Sequence, residues 1–181
     1  NNRVEAQIEG EIKGIQVTFF DSLYGRHKTF YRFGMYYEFV LAGFAYSCSV
    51  IDPPPLELTD PKIIEILRKD EDDKNLSSIQ IETKGMASII QMEDGDRDDY
   101  QFHAPVRSVE EIEIMGQHIW NIRATILRSS ENDNEVDIDI DIYVTKNALE
   151  GEVPKPGQDI AGTLWLQGYM VLPGLQIRIE D

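Results

Sequence analysis

Residues 135–144, Glu-Val-Asp-Ile-Asp-Ile-Asp-Ile-Tyr-Val, alternate without a fault. Val136, Ile138, Ile140, Ile142 and Val144 fall on one parity, and Glu135, Asp137, Asp139, Asp141 and Tyr143 on the other. A helix cannot show five alternate residues to one side, because its faces recur every 3.6 residues; a strand does so by construction. The segment is therefore a strand with one apolar and one acidic face. It obliges the rest of the chain to supply sheet partners and a core that covers the isoleucines.

The remaining pattern agrees with a mainly β fold, a barrel or sandwich. Residues 4–19 read as one long strand whose apolar parity switches at Lys13-Gly14, which predicts a bulge there. Residues 21–28 read as a loop, and 35–50 as a further strand. Asp52-Pro53-Pro54-Pro55 cannot continue a ladder, because proline donates no backbone hydrogen bond. This divides the chain into an N-terminal β module (1–52), a proline-rich linker with a short helix (53–76) and a C-terminal acidic β module (77–181), unless the whole is one continuous domain. Thr59-Asp60-Pro61 is a helix start, and Ile63, Ile64, Ile66 and Leu67 give one apolar stripe, so one short helix is expected near 61–69. Later strands are expected near 79–81, 87–92, 100–106, 159–170 and 175–180, with a hairpin over 109–128 turning at Met115-Gly116 and a short turn or helical piece near 147–151.

From residue 105 onward the order is hairpin, third strand, short connection and closing strand. This resembles a five-stranded oligonucleotide/oligosaccharide-binding barrel, a resemblance of topology and not of motif. It implies an OB-like barrel in the C-terminal half.

Charge narrows the function classes. With 33 acids against 17 bases the net charge is -16, and such a surface repels phosphate backbones and anionic headgroups, so neither nucleic acid nor membrane is an expected partner. A basic protein is. The one cysteine, Cys48, excludes an internal disulfide, sits in an apolar run and fits a reducing cytoplasm, the expected location, while a start at Asn1 leaves room for a removed signal peptide. Oligomeric state is not legible.

Three groups of residues are candidates for a site. Asp137, Asp139 and Asp141 form an acidic ridge able to meet a cationic partner. The segment 19–46 concentrates eleven of the aromatic residues, and Tyr24, Arg26, Tyr31, Arg32 and Tyr36, with Trp165, could stack on a flat or sugar-like ligand. Asp94, Asp96 and Asp98 lie in a run of carboxylates that could hold calcium, but Asp99 and Pro105 stand where an EF-hand needs glycine and glutamate. No cofactor is otherwise expected. No G-x-S-x-G elbow and no histidine pair at metal-ligand spacing occurs, so catalytic residues are not identifiable. The leading reading is a non-catalytic binding protein whose acidic surface receives a cationic protein. Small-ligand or carbohydrate binding through the aromatic 19–46 region is the alternative, and an enzyme with an unrecognised site the third.

Overall fold

In a computed structural model, which describes residues 6–67, 77–131 and 134–171, the chain is mostly β. The strands are β1 (Gln7–Ile12), β2 (Ile15–Asp21), β3 (Phe39–Ile51), β4 (Leu56–Leu58), β5 (Ile79–Ile81), β6 (Ser88–Gln91), β7 (Asp99–Ile114), β8 (Gln117–Glu131), β9 (Asn134–Thr145), β10 (Leu149–Glu150) and β11 (Asp159–Met170). The helices are α1 (Tyr24–His27) and α2 (Pro61–Leu67).

Two turns of one kind shape the hairpins. Lys13 and Gly14 have φ of 49° and 85°, and Met115 and Gly116 have 52° and 76°. Two consecutive positive φ values make the tight turn whose twist matches that of the flanking strands. The second is the expected β7–β8 hairpin. The first corrects the bulge expected at Lys13-Gly14: the chain reverses there, Ile12 pairs with Ile15, and β1 and β2 run antiparallel. The parity switch marks a turn because a two-residue reversal shifts phase just as a bulge does.

The expected helix forms from Pro61, where Asp60 Oδ1 accepts the Lys62 amide at 2.8 Å, and Ile64 is its buried residue. Residues 68–69 of that expectation, and the strand expected at 175–180, lie outside the described residues. Tyr24–His27, read from sequence as loop, makes a single helical turn, and of the two forms expected near 147–151 the turn is the one present, leading into β10.

The main sheet closes on itself. β7, β8 and β9 form an antiparallel meander. β9 pairs in parallel with β3 through Ala42–Asp141, Gly43–Ile142 and Phe44–Tyr143. β3 pairs antiparallel with β11, and β11 pairs antiparallel with β7, completing a circuit of five strands. Thus β3, which precedes the proline run, and β7, β8, β9 and β11, which follow it, share one ring. The register shifts at Val106/Ser108, Thr125/Leu127 and Thr163/Leu164, irregularities of the kind that bend strands enough to close a sheet. The β1–β2 hairpin joins alongside the C-terminal end of β11, and β6 extends the ring from β7.

The core is the ring's interior. Ile122, Ile126, Ile142, Val144, Ile160, Leu164 and Leu166 have no solvent exposure, and the isoleucine face of β9 points into it as the alternation requires. Cys48 is buried in the same cluster. Gly43 also faces inward, where an added Cβ would lie 2.9 Å from Leu164 Cδ2. Its neighbours Ala42 and Phe44 therefore face out.

Candidate aromatic cleft

The outward faces of β9, β3 and β11 carry an aromatic row. Tyr143, Phe44 and Trp165 are register partners on successive strands, the Phe44 and Tyr143 rings lie 5.2 Å apart, and Phe20 of β2 meets Trp165 at 5.1 Å. Burial on the opposite face explains the row: Leu164 and Leu166 point inward, so Trp165 between them points out. On the next strand of the ring Asn121 is the partner of Tyr143, and its Oδ1 is shut from solvent without a hydrogen-bond donor among the described residues.

At the Trp165 end the row opens into a cleft of about 240 Å³ lined by Gln7, Phe20, Tyr46, Asp96, Asp98, Asp99 and Trp165. Asp98 is its fixed base. Only 3% of this residue is exposed, and its carboxylate accepts Trp165 Nε1–H and Gln7 Nε2–H, each at 2.6 Å. Paired donors of this kind are what permit a buried carboxylate. Asp99 accepts the Tyr46 hydroxyl at 2.8 Å and the Asp96 amide at 3.0 Å. Tyr46 is 56% exposed, so its ring forms an open wall while its hydroxyl is tied down. Arg97, the base within this run of acids, reaches to Glu9 at 2.8 Å.

The sequence-derived candidates separate. Trp165 joins Asp96 and Asp98 in the cleft, two groups that lie far apart along the chain, while Asp94 stays exposed on the β6–β7 turn. Among the described residues no three His, Cys, Asp or Glu side chains converge as a metal set. Tyr24, Arg26, Tyr31, Arg32 and Tyr36 occupy a different place, the segment between β2 and β3. There Tyr31 donates to the buried Asp21 at 2.5 Å, Tyr24 and Tyr37 pack on either side of it, and Arg32 donates to Thr29 and Tyr31 carbonyls. Tyr36 and Phe33 stand fully exposed. That segment presents outward side chains on an internally bonded loop, where the Tyr31 ring meets Tyr24 at 5.9 Å and the edge of Tyr37 at 5.2 Å.

Asp137, Asp139 and Asp141 do share the outer face of β9, and each meets an arginine. Arg107 and Arg128 bond Asp137, Arg123 lies 3.3 Å from Asp141, and Arg107 is 3.8 Å from Asp139, which also accepts the buried Thr125 hydroxyl at 2.7 Å. The ridge is one half of an ion-pair ladder across β7, β8 and β9. Of the histidines, His103 faces the buried Asp159 at 3.3 Å, an acid that also accepts the Gly85 amide at 2.6 Å. Ser88 is the register partner of His103.

Sequence reading placed Phe20, Phe44 and Tyr46 within the aromatic 19–46 region but not beside the acidic run, and it missed Gln7, Asp99 and Tyr143 as parts of one site. Their signal was outward parity opposite core residues, usable only once the pairing of β3 with β9 and β11 is known.

The tethered Tyr46 hydroxyl and the buried Cys48 thiol set an alkaline limit on stability. Burial, the Asp99 hydrogen bond and the neighbouring carboxylates push Tyr46 up to about 12, and burial with the Glu150 charge pushes Cys48 up to about 12. A group that holds its proton more tightly when folded stabilises fully below its unfolded value, and the contribution is lost as pH rises towards the folded value. Urea midpoints should therefore hold to about pH 8, below the value of about 8.5 at which half of free cysteine is ionised, and fall between there and pH 12. Equal midpoints at pH 8 and pH 11 would refute this, and Cys48→Ala should soften the fall.

Compared with protein-family models, curated proteins and solved structures, the chain matches none.

Proposed function

We propose that this protein is a non-catalytic binding protein whose acidic surface receives a cationic protein partner at the aromatic cleft. The observation that carries the reading is the joining of aromatic walls, Phe20, Tyr46 and Trp165, to the carboxylates Asp96, Asp98 and Asp99. Aromatic faces attract cations through their quadrupole, and carboxylates at the same opening add direct charge. The net charge of -16 steers a basic partner towards the surface. The acidic ridge on β9 supports the reading less, since its arginines neutralise it.

Titrating the full chain with a labelled hexa-lysine peptide tests the proposal by fluorescence anisotropy. Saturable binding is expected at low salt, weakened about tenfold or more at physiological salt, since exposed charges are screened over about 8 Å there. No binding at low salt would end it.

A second reading, carbohydrate recognition, is favoured by the Tyr143–Phe44–Trp165 row, which offers ring faces to a neutral ring. Binding of an oligosaccharide indifferent to salt would select it. The ring order, with β3 parallel to β9 and β11 between β3 and β7, supports reading the fold as an oligonucleotide/oligosaccharide-binding barrel whose last strand comes first in the chain. That likeness leaves function to the site.

A further inference from the structure

We propose that the cleft walled by Phe20, Tyr46 and Trp165 selects one arginine side chain of the partner. The inference rests on the binding function proposed above and names the chemical group that the site reads.

The cleft's own groups are unevenly committed. Trp165 Nε1–H is spent on Asp98 and the Tyr46 hydroxyl on Asp99. Both bonds fix the orientation of the two rings, so the walls are held before a ligand arrives, which lowers the ordering cost of binding. The Asp96 carboxylate has no hydrogen-bond or ion-pair partner among the described residues, and it lies on the same lining. Arg97, which could have neutralised it, is turned to Glu9. What the cleft presents is therefore aromatic faces, one open carboxylate, and two fixed carboxylates behind.

A ligand that supplies only donors, carries positive charge and has a flat face fits this set. Guanidinium has all three properties: it stacks on an aromatic ring while its in-plane N–H groups reach a carboxylate in a two-pronged arrangement. Lysine carries the charge on a compact, strongly hydrated ammonium that cannot stack, so it shares the long-range attraction but not the fit. A sugar needs donors as well as acceptors, the indole and phenol donors are already engaged, and a neutral ligand would leave the Asp96 charge without a counter-charge. The volume of about 240 Å³ suits one side chain better than a drug-sized ligand, which needs about 300 Å³ or more.

The test uses the full chain, hexa-arginine, hexa-lysine and a neutral hexasaccharide at low salt, read by anisotropy or calorimetry and by the indole N–H resonance of Trp165 in a nitrogen-15 spectrum. The expected result is hexa-arginine binding at least about tenfold tighter than hexa-lysine, with the Trp165 resonance shifted. Asp96→Asn, an exposed substitution with no native bond to lose at its carboxylate, should shrink that preference to about threefold or less while the spectrum stays that of the folded chain. Equal affinity for the two peptides, or a preference that survives Asp96→Asn unchanged, overturns the inference while leaving the cationic-partner reading intact. Failure of both peptides to bind overturns both. A Trp165 shift with the hexasaccharide alone replaces arginine with a sugar.

Discussion

Gly162→Ala should destabilise the protein by about 3 kcal/mol or more, a drop of roughly 6–12 °C in Tm for a chain of this size. A Cβ at this position would stand 2.0 Å from the Ser47 carbonyl oxygen, 2.7 Å from the Ser47 carbonyl carbon and 3.1 Å from Cys48 Cα. All three are backbone atoms of β3, so no side chain can swing away, and relief requires β3 and β11 to part. These strands are paired over their whole length, and their contact closes the ring. Gly25→Ala, where a Cβ would meet nothing within 4 Å, is the matched control and should leave Tm nearly unchanged. A thermal melt of Gly162→Ala within about 2 °C of the parent would show that the two strands leave room for a methyl group at this point.

Ile142→Ala should cost about 2–5 kcal/mol. Ile142 has no exposure and is the register partner of Ile122 on one side and Gly43 on the other. Gly43 has no side chain to fill the space, and its position already leans on Leu164 and Ile142. Truncation thus opens a cavity beside the residue least able to collapse into it. One residue earlier on the same strand, Asp141→Ala removes only the half-exposed pair with Arg123 and should change stability by no more than about 1 kcal/mol. Chemical denaturation of the two variants checks the contrast; similar losses from both would mean that β9 does not divide core from solvent as its alternation says.

That contrast is legible in the amino-acid sequence. The alternation of 135–144 tells which side of β9 is core, and β11 can be bounded at 159–170 from apolar spacing and flanking turns. Local chemistry suffices there, because a strand with one wet face writes its orientation in its own residues. Gly162 can be recognised as a bend or close approach, since glycine in a strand has few other uses. The Ser47 carbonyl that crowds it cannot, because it lies 115 positions away along the chain. The same limit hides the cleft: Gln7, Phe20, Tyr46, Asp98 and Trp165 come from five separate stretches, and only strand register brings them together. The acidic ridge shows the converse. Asp137, Asp139 and Asp141 are visible in the sequence as a row, but Arg107, Arg123 and Arg128, which offset their charge, are spaced without pattern on neighbouring strands. Lys13-Gly14 misleads for a different reason, since bulge and reversal leave the same one-step change of parity.

The parallel pairing of β3 with β9 also dictates a timetable. β3 ends at Ile51, but its two neighbours in the ring begin at Asn134 and Asp159. A nascent chain emerging at about 5–20 residues per second would hold Val50, Ala45, Leu41 and Phe39 without their cover for several seconds. The β7–β8–β9 meander can zip as it appears, because its contacts are local, but the barrel has to wait for β11 to enter between β3 and β7. Folding should therefore be gated by that late insertion, with a half-built, strand-edged intermediate as the species most exposed to aggregation.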